Sequence, residues 1–120
     1  MKTIVIVDDN QMMLEFLKQL LSKHYNVKTF ENGVQAMSHI VSQEQPDAIL
    51  LDYEMEGMNG HEVLETIKSS GFLKDIPVIL LSGKQKSETR ISCLKSGAKD
   101  FISKPFNPVE LQLRIQNALN

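Results

Sequence analysis

Three stretches of this chain are unbroken apolar runs: Ile4-Val5-Ile6-Val7, Ala48-Ile49-Leu50-Leu51 and Val78-Ile79-Leu80-Leu81. They are too short for helices, and they lack the alternation of a strand with one wet face. Such runs suit strands covered on both faces, as in parallel sheets. Longer amphipathic stretches separate them. We read strands at 3–7, 26–30, 47–51, 77–82 and 99–103, and helices at 10–23, 33–43, 60–70, 86–96 and 107–119. Strand then helix, five times over, predicts an α/β fold with a (βα)5 doubly wound parallel sheet.

The strands differ in a way that orders the sheet. Asn26-Val27-Lys28-Thr29-Phe30 and Lys99-Asp100-Phe101-Ile102-Ser103 mix polar and apolar residues. Mixed strands suit sheet edges, where polar groups discourage pairing with another chain. The order 2-1-3-4-5, that of flavodoxin-like folds, puts these two at the edges. Right-handed crossovers then place helices one and five on one face and helices two, three and four on the other.

Local signals agree. Met13, Leu17, Leu20 and Leu21 share one face of the first helix, and Leu111, Ile115 and Leu119 share one face of the fifth. Asn107-Pro108-Val109-Glu110 reads as an N-cap, a proline at the first helical position and an early glutamate. Asn59-Gly60-His61-Glu62 is a weaker start of the same kind; Asn32-Gly33 reads as a turn, and Ser96-Gly97 as a helix stop. A length of 120 residues suits one domain, expected to span 1–120 with no output domain. The net charge of −2 and the absence of a basic stripe argue against nucleic-acid binding. No apolar stretch is long enough to span a membrane and no signal peptide is visible, so a cytoplasmic location is expected. Cys93, the only cysteine, reads as a small packed residue beside Ile91 and Leu94. His24, His39 and His61 fall on helical stretches and are expected at the surface.

The polar residues that close the strands carry the chemistry. Asp8-Asp9 follow the first run, Asp52 the third and Ser82 the fourth, and Lys104 follows the fifth strand. In a parallel sheet all five emerge at the same edge, and ligands of open α/β sheets bind beyond the carboxyl ends where the strand order reverses. Three carboxylates alone resist ionising together. With a hard divalent cation they form a site for a phosphoryl group.

The combination resembles the receiver domain of bacterial two-component response regulators. The likeness runs through Val7-Asp8-Asp9, Asp52-x-x-Met55-x-x-Met58-x-Gly60, Leu81-Ser82-Gly83, Gly97-Ala98 and Lys104-Pro105-Phe106. It implies that Asp52 accepts a phosphoryl group from a phosphohistidine on a sensor histidine kinase or phosphotransfer protein. It implies Mg²⁺ as cofactor, held by Asp9, Asp52 and the backbone carbonyl of Glu54, with Asp8 acting through a bound water. Lys104 would pair with Asp52 and then with a phosphoryl oxygen, across a cis Lys104-Pro105 bond. Ser82 and Phe101 would form a switch pair: the hydroxyl moves to the phosphoryl group and the Phe101 ring turns inward. That repacks the surface of helix four, strand five and helix five toward a downstream effector that the sequence does not name. The chain would be a signalling switch, not an enzyme. A phosphatase of the haloacid dehalogenase class would need an aspartate where Glu54 stands. A flavodoxin-like cofactor carrier would not place Asp8-Asp9-Asn10 in its phosphate-cradling loop.

The chain departs from the family pattern at Glu56, where proline is usual; the loop after Asp52 is therefore less restricted. Glu54 and Lys84 are expected to face each other over the pocket as an ion pair that limits access and sets the lifetime of the phosphorylated state. Arg90 with Glu110, and Asp100 with Arg114, resemble intermolecular ion pairs of receivers attached to winged-helix domains. They imply phosphorylation-enhanced homodimerisation.

Overall fold

A computed structural model describes residues 1–42, 45–84 and 86–120. Five strands alternate with five helices: β1 (Thr3–Val7), α1 (Gln11–Leu21), β2 (Asn26–Phe30), α2 (Gly33–Ser42), β3 (Ala48–Asp52), α3 (Gly60–Lys68), β4 (Val78–Ser82), α4 (Ser87–Lys95), β5 (Asp100–Ser103) and α5 (Pro108–Leu119). The sheet is wholly parallel in the order β2-β1-β3-β4-β5, the flavodoxin-like arrangement expected. Each helix begins and ends within two residues of its expected bounds where those bounds are described; residue 43, the expected end of α2, lies outside the described residues. β3 runs one residue further than expected, so that Asp52 is its last residue.

Period-two alternation divides the apolar runs between two cores. Val5, Val7, Ile49, Leu51, Val78, Leu80 and Phe101 face α2, α3 and α4, meeting Ala36, Ile40, Val63, Leu64, Ile67 and Cys93. Ile4, Ile6, Ala48, Leu50, Ile79, Leu81 and Ile102 face α1 and α5, meeting Leu14, Leu17, Leu21, Leu111 and Ile115. The helices lie on the faces that right-handed crossovers require. β3 and β4 are buried throughout, and β2 is half-exposed, as an edge should be. Burying each large aliphatic contributes roughly 1.5–3 kcal/mol, so the central strands dominate stability and anchor the sheet edge that carries the polar residues.

The helix starts follow their sequence signals. Asn107 Oδ1 accepts from the amides of Val109 and Glu110, with Pro108 at the first helical position. Asn59 and Glu62 form a reciprocal capping box on α3. Asn32 Oδ1 accepts from the Gln35 amide, and Gly97, at φ 106°, ends α4. His24 is exposed, as expected, but it lies in the turn after the first helix, which ends at Leu21, rather than on a helical stretch. His39 and His61 are half-buried, against the Phe30 ring and the Ser96 hydroxyl. Among the described residues, no helix is long and apolar enough to cross a membrane.

Candidate functional site

The last residue of β3, the residues just past β1 and β5, and the last residue of β4 meet at the carboxyl edge of the sheet. Carboxylate oxygens of Asp8, Asp9 and Asp52 lie within 4.8 Å of one another. Asp8 and Asp52 are buried, whereas Asp9 is exposed. The Lys104 ammonium donates to Asp52 Oδ1 at 2.8 Å and stands 3.6 Å from Asp8 Oδ2. The backbone delivers it there: the Lys104 amide donates to the Ser82 carbonyl at 2.7 Å, extending the β4–β5 pairing past the last strand residue. The Lys104-Pro105 bond is cis.

Burial pushes the Asp52 carboxyl from 3.8 up to about 6, against the pull of Lys104 and with the charges of Asp8 and Glu54 adding to the rise. Burial also raises Asp8, opposed by the Asn10 amide and Lys104. Burial pulls the Lys104 ammonium down, but the hydrogen bond to Asp52 and the charges of Asp52, Asp8 and Glu54 outweigh it, and the net shift is upward. The pocket therefore holds more negative charge than one ammonium can neutralise.

α3 starts against the backbone of Asp52. The Gly60 amide donates to the Tyr53 carbonyl at 3.0 Å, and a Cβ on Gly60 would lie 2.5 Å from the Asp52 carbonyl oxygen. Only glycine admits that approach, which seats the loop after Asp52. The non-proline residue Glu56 makes a contact that the sequence reading missed. Its amide donates to Asp9 Oδ2 at 3.4 Å, a bond that proline could not make. The signal was present in the missing proline, from which only greater chain freedom was inferred.

The expected Glu54–Lys84 ion pair does not form. Glu54 Oε1 instead accepts from the Ser82 hydroxyl at 2.7 Å and from the Lys84 backbone amide at 3.0 Å. The Lys84 ammonium lies 5.7 Å from the centroid of the Tyr53 ring. A carboxylate with two donors already converging on it has less to gain from an exposed ammonium, which the aromatic face can accommodate.

A family model for the response regulator receiver domain matches residues 4–116. The chain belongs to that family. The phosphate regulon transcriptional regulatory protein PhoB of Pseudomonas aeruginosa is 39% identical over 119 residues, covering 98% of this chain and 52% of that protein. Histidine kinase P4 of Formosa agariphila is 39% identical over 117 residues, covering 98% of this chain and 8% of that protein. The chain thus spans about half the length of one relative and under a tenth of the other. The solved signal receiver domain of a histidine kinase from Syntrophus aciditrophicus aligns at a TM-score of 0.90 and 32% identity, covering 99% of this chain and 90% of that one.

Two further features of this receiver differ from expectation. Phe101 is already buried, packed with the α2–α3–α4 core, rather than turned outward awaiting a signal. Arg114 is satisfied within its own chain, at 2.9 Å from Asp100 and 3.7 Å from Glu110. Arg90 is exposed across the same shallow groove, which Leu94, Asp100, Glu110 and Arg114 also line.

Proposed function

We propose that this receiver takes a phosphoryl group on Asp52 from a phosphohistidine of a sensor kinase or phosphotransfer protein. One observation carries the reading: Lys104 Nζ lies 2.8 Å from Asp52 Oδ1 at the point where three carboxylates converge. An Asp52 oxygen attacks phosphorus, a P–O bond forms, the P–N bond to the partner histidine breaks, and the imidazole leaves with the bonding pair. The product is an acyl phosphate. Lys104 can then transfer its hydrogen bond from the carboxylate to a phosphoryl oxygen without leaving the pocket.

The residues fit a divalent cation. Asp8 Oδ2 is buried with no hydrogen-bond partner among the described residues, and hard oxygen ligands are what Mg²⁺ takes. Asp9, Asp52 and the Glu54 carbonyl would hold Mg²⁺, with Asp8 acting through a water. When bound, the cation supplies neutralisation of the phosphoryl oxygens. Asp9 is oriented toward that role by the Glu56 amide, and Asp8 by the Asn10 amide at 2.9 Å.

Ser82 and Phe101 serve as the switch pair in this reading, biasing the surface of α4, β5 and α5 between two packings. The buried Phe101 ring implies that rearrangement of Ser82 and its neighbours, more than a large ring swing, distinguishes the two states. Arg90, Asp100, Glu110 and Arg114 form the dimer face, and exchange of the Arg114 pairs from within to between chains accompanies association. The receiver works as a cytoplasmic switch on a downstream effector rather than as an enzyme on free substrates. Incubation with acetyl phosphate and Mg²⁺ should add one phosphoryl group to the intact mass, with none added to the Asp52→Ala variant. Steady turnover of many phosphate esters would favour a phosphatase instead.

A further inference from the structure

The hydroxyl of Ser82 has a single proton, and Glu54 Oε1, at 2.7 Å, is a much nearer acceptor for it than the Lys84 carbonyl, at 3.5 Å. Ser82 is fully buried, and its Oγ donates to Glu54 Oε1 at 2.7 Å. The Lys84 amide donates to the same carboxylate oxygen at 3.0 Å and to Ser82 Oγ at 2.9 Å, closing a three-membered cluster. Glu54 crosses from the loop after β3 to reach these donors. A Cβ built on Gly83, between the two, would lie 3.8 Å from Glu54 Oε1, so the carboxylate is seated against that turn. Bonds in which the acceptor is charged are about twice as strong as neutral ones. A hydroxyl committed to one anion cannot donate to a second.

We propose that Glu54 is an internal competitor of the phosphoryl group: a resident carboxylate that occupies the Ser82 hydroxyl in the resting state and must be displaced for switching. Glu54 is thus a positioning residue that acts through Ser82. The inference rests on Asp52 as the phosphoacceptor and adds how its switch is restrained. Lys104 and Asp52 already feel the Glu54 charge, so the carboxylate lies within electrostatic reach of the transfer site. Its displacement weakens the apparent affinity for a phosphoryl group by the strength of the bonds that it forfeits, and a receiver with a small neutral residue at this position would switch more readily.

The test is trifluoroberyllate binding with Mg²⁺, a tetrahedral stand-in for the phosphoryl group, together with hydrogen exchange of the Lys84 amide in the free protein. Glu54→Ala should tighten binding roughly tenfold, the equivalent of one charge-assisted hydrogen bond. In a Ser82→Ala background most of that gain should vanish. Glu54→Gln, which keeps an acceptor oxygen but forms only the weaker neutral bond, should fall between wild type and Glu54→Ala. In the free protein the Lys84 amide should exchange faster in Glu54→Ala. An equal gain in both backgrounds, or Glu54→Gln matching Glu54→Ala, would mean simple charge repulsion and overturns the competitor role. So would an unchanged Lys84 exchange rate. Should Ser82→Ala not fold, the Gln variant and the exchange rate decide. Absence of Asp52-dependent binding in every variant would instead overturn the phosphoacceptor reading, and the competitor role with it.

Discussion

Burial and the charges of Asp8 and Glu54 hold the Asp52 carboxyl at about 6, although Lys104 donates to it directly. The consequence for stability has a definite sign. Below about pH 4 the folded and unfolded chains both carry the proton. As pH rises past 3.8 the unfolded chain ionises first, while the folded chain keeps its proton to about 6. The folded state binds more protons across that window, so this group lowers stability as pH rises through it, and the penalty is complete above pH 6. Asp8, also raised, acts in the same direction. In the absence of divalent cations, Asp52→Asn should therefore be more stable than wild type at pH 7.5, by on the order of 2 kcal/mol. The gap should close as pH falls to 4. Urea unfolding at the two pH values measures it; a variant less stable than wild type at pH 7.5 would show that the native carboxylate is not strained. Mg²⁺ should reduce the gap by stabilising wild type, through preferential binding to the folded state.

The helices are anchored unequally. α1 buries Leu14, Leu17 and Leu21, and α5 buries Leu111 and Ile115. α4 buries only Cys93, and Ile91 and Leu94 remain nearly half exposed. Its N-cap, Lys86, offers no side-chain acceptor. With so little apolar burial and no cap, α4 has the least to lose on local opening. Its amides should exchange at least about tenfold faster than those of α1 in the free protein; equal protection would contradict an easily repacked α4. The elements themselves were legible because hydrophobic period and cap chemistry are properties of neighbouring residues. Asn59, Asn107 and Gly97 each announced a helix end that the structure keeps. His24 was misplaced because Ser22-Lys23 carries no breaker, and the helix ends there when its apolar face runs out at Leu21. Side-chain partners were harder to read. Glu54 chose Ser82 and the Lys84 amide over the Lys84 ammonium, and Arg114 chose Asp100 beside it, because those atoms meet only once the sheet is closed.

At the scale of the whole molecule, the sheet order brings together groups separated by nearly the length of the chain, from Asp8 to Lys104. That convergence was readable from strand ends alone, since the carboxyl edge of a parallel sheet collects whatever follows each strand. The surface around α4, β5 and α5 was less readable. Asp100, Glu110 and Arg114 pair inside one chain, so dimer formation must trade these existing ion pairs for new ones and gains little from them. Association should accordingly be weak and dependent on activation. Sedimentation with Mg²⁺ and trifluoroberyllate should show a concentration-dependent dimer that the untreated chain lacks, and a monomer at the highest soluble concentration in both would rule out this face as a self-association surface.

An acyl phosphate on aspartate is reduced by borohydride to homoserine, whereas a phosphate ester on serine is not. After treatment with acetyl phosphate and Mg²⁺, reduction and peptide mass mapping should find homoserine at position 52 and at no other aspartate. Homoserine at position 8 or 9, or a phosphoryl group retained on Ser82, would contradict the account.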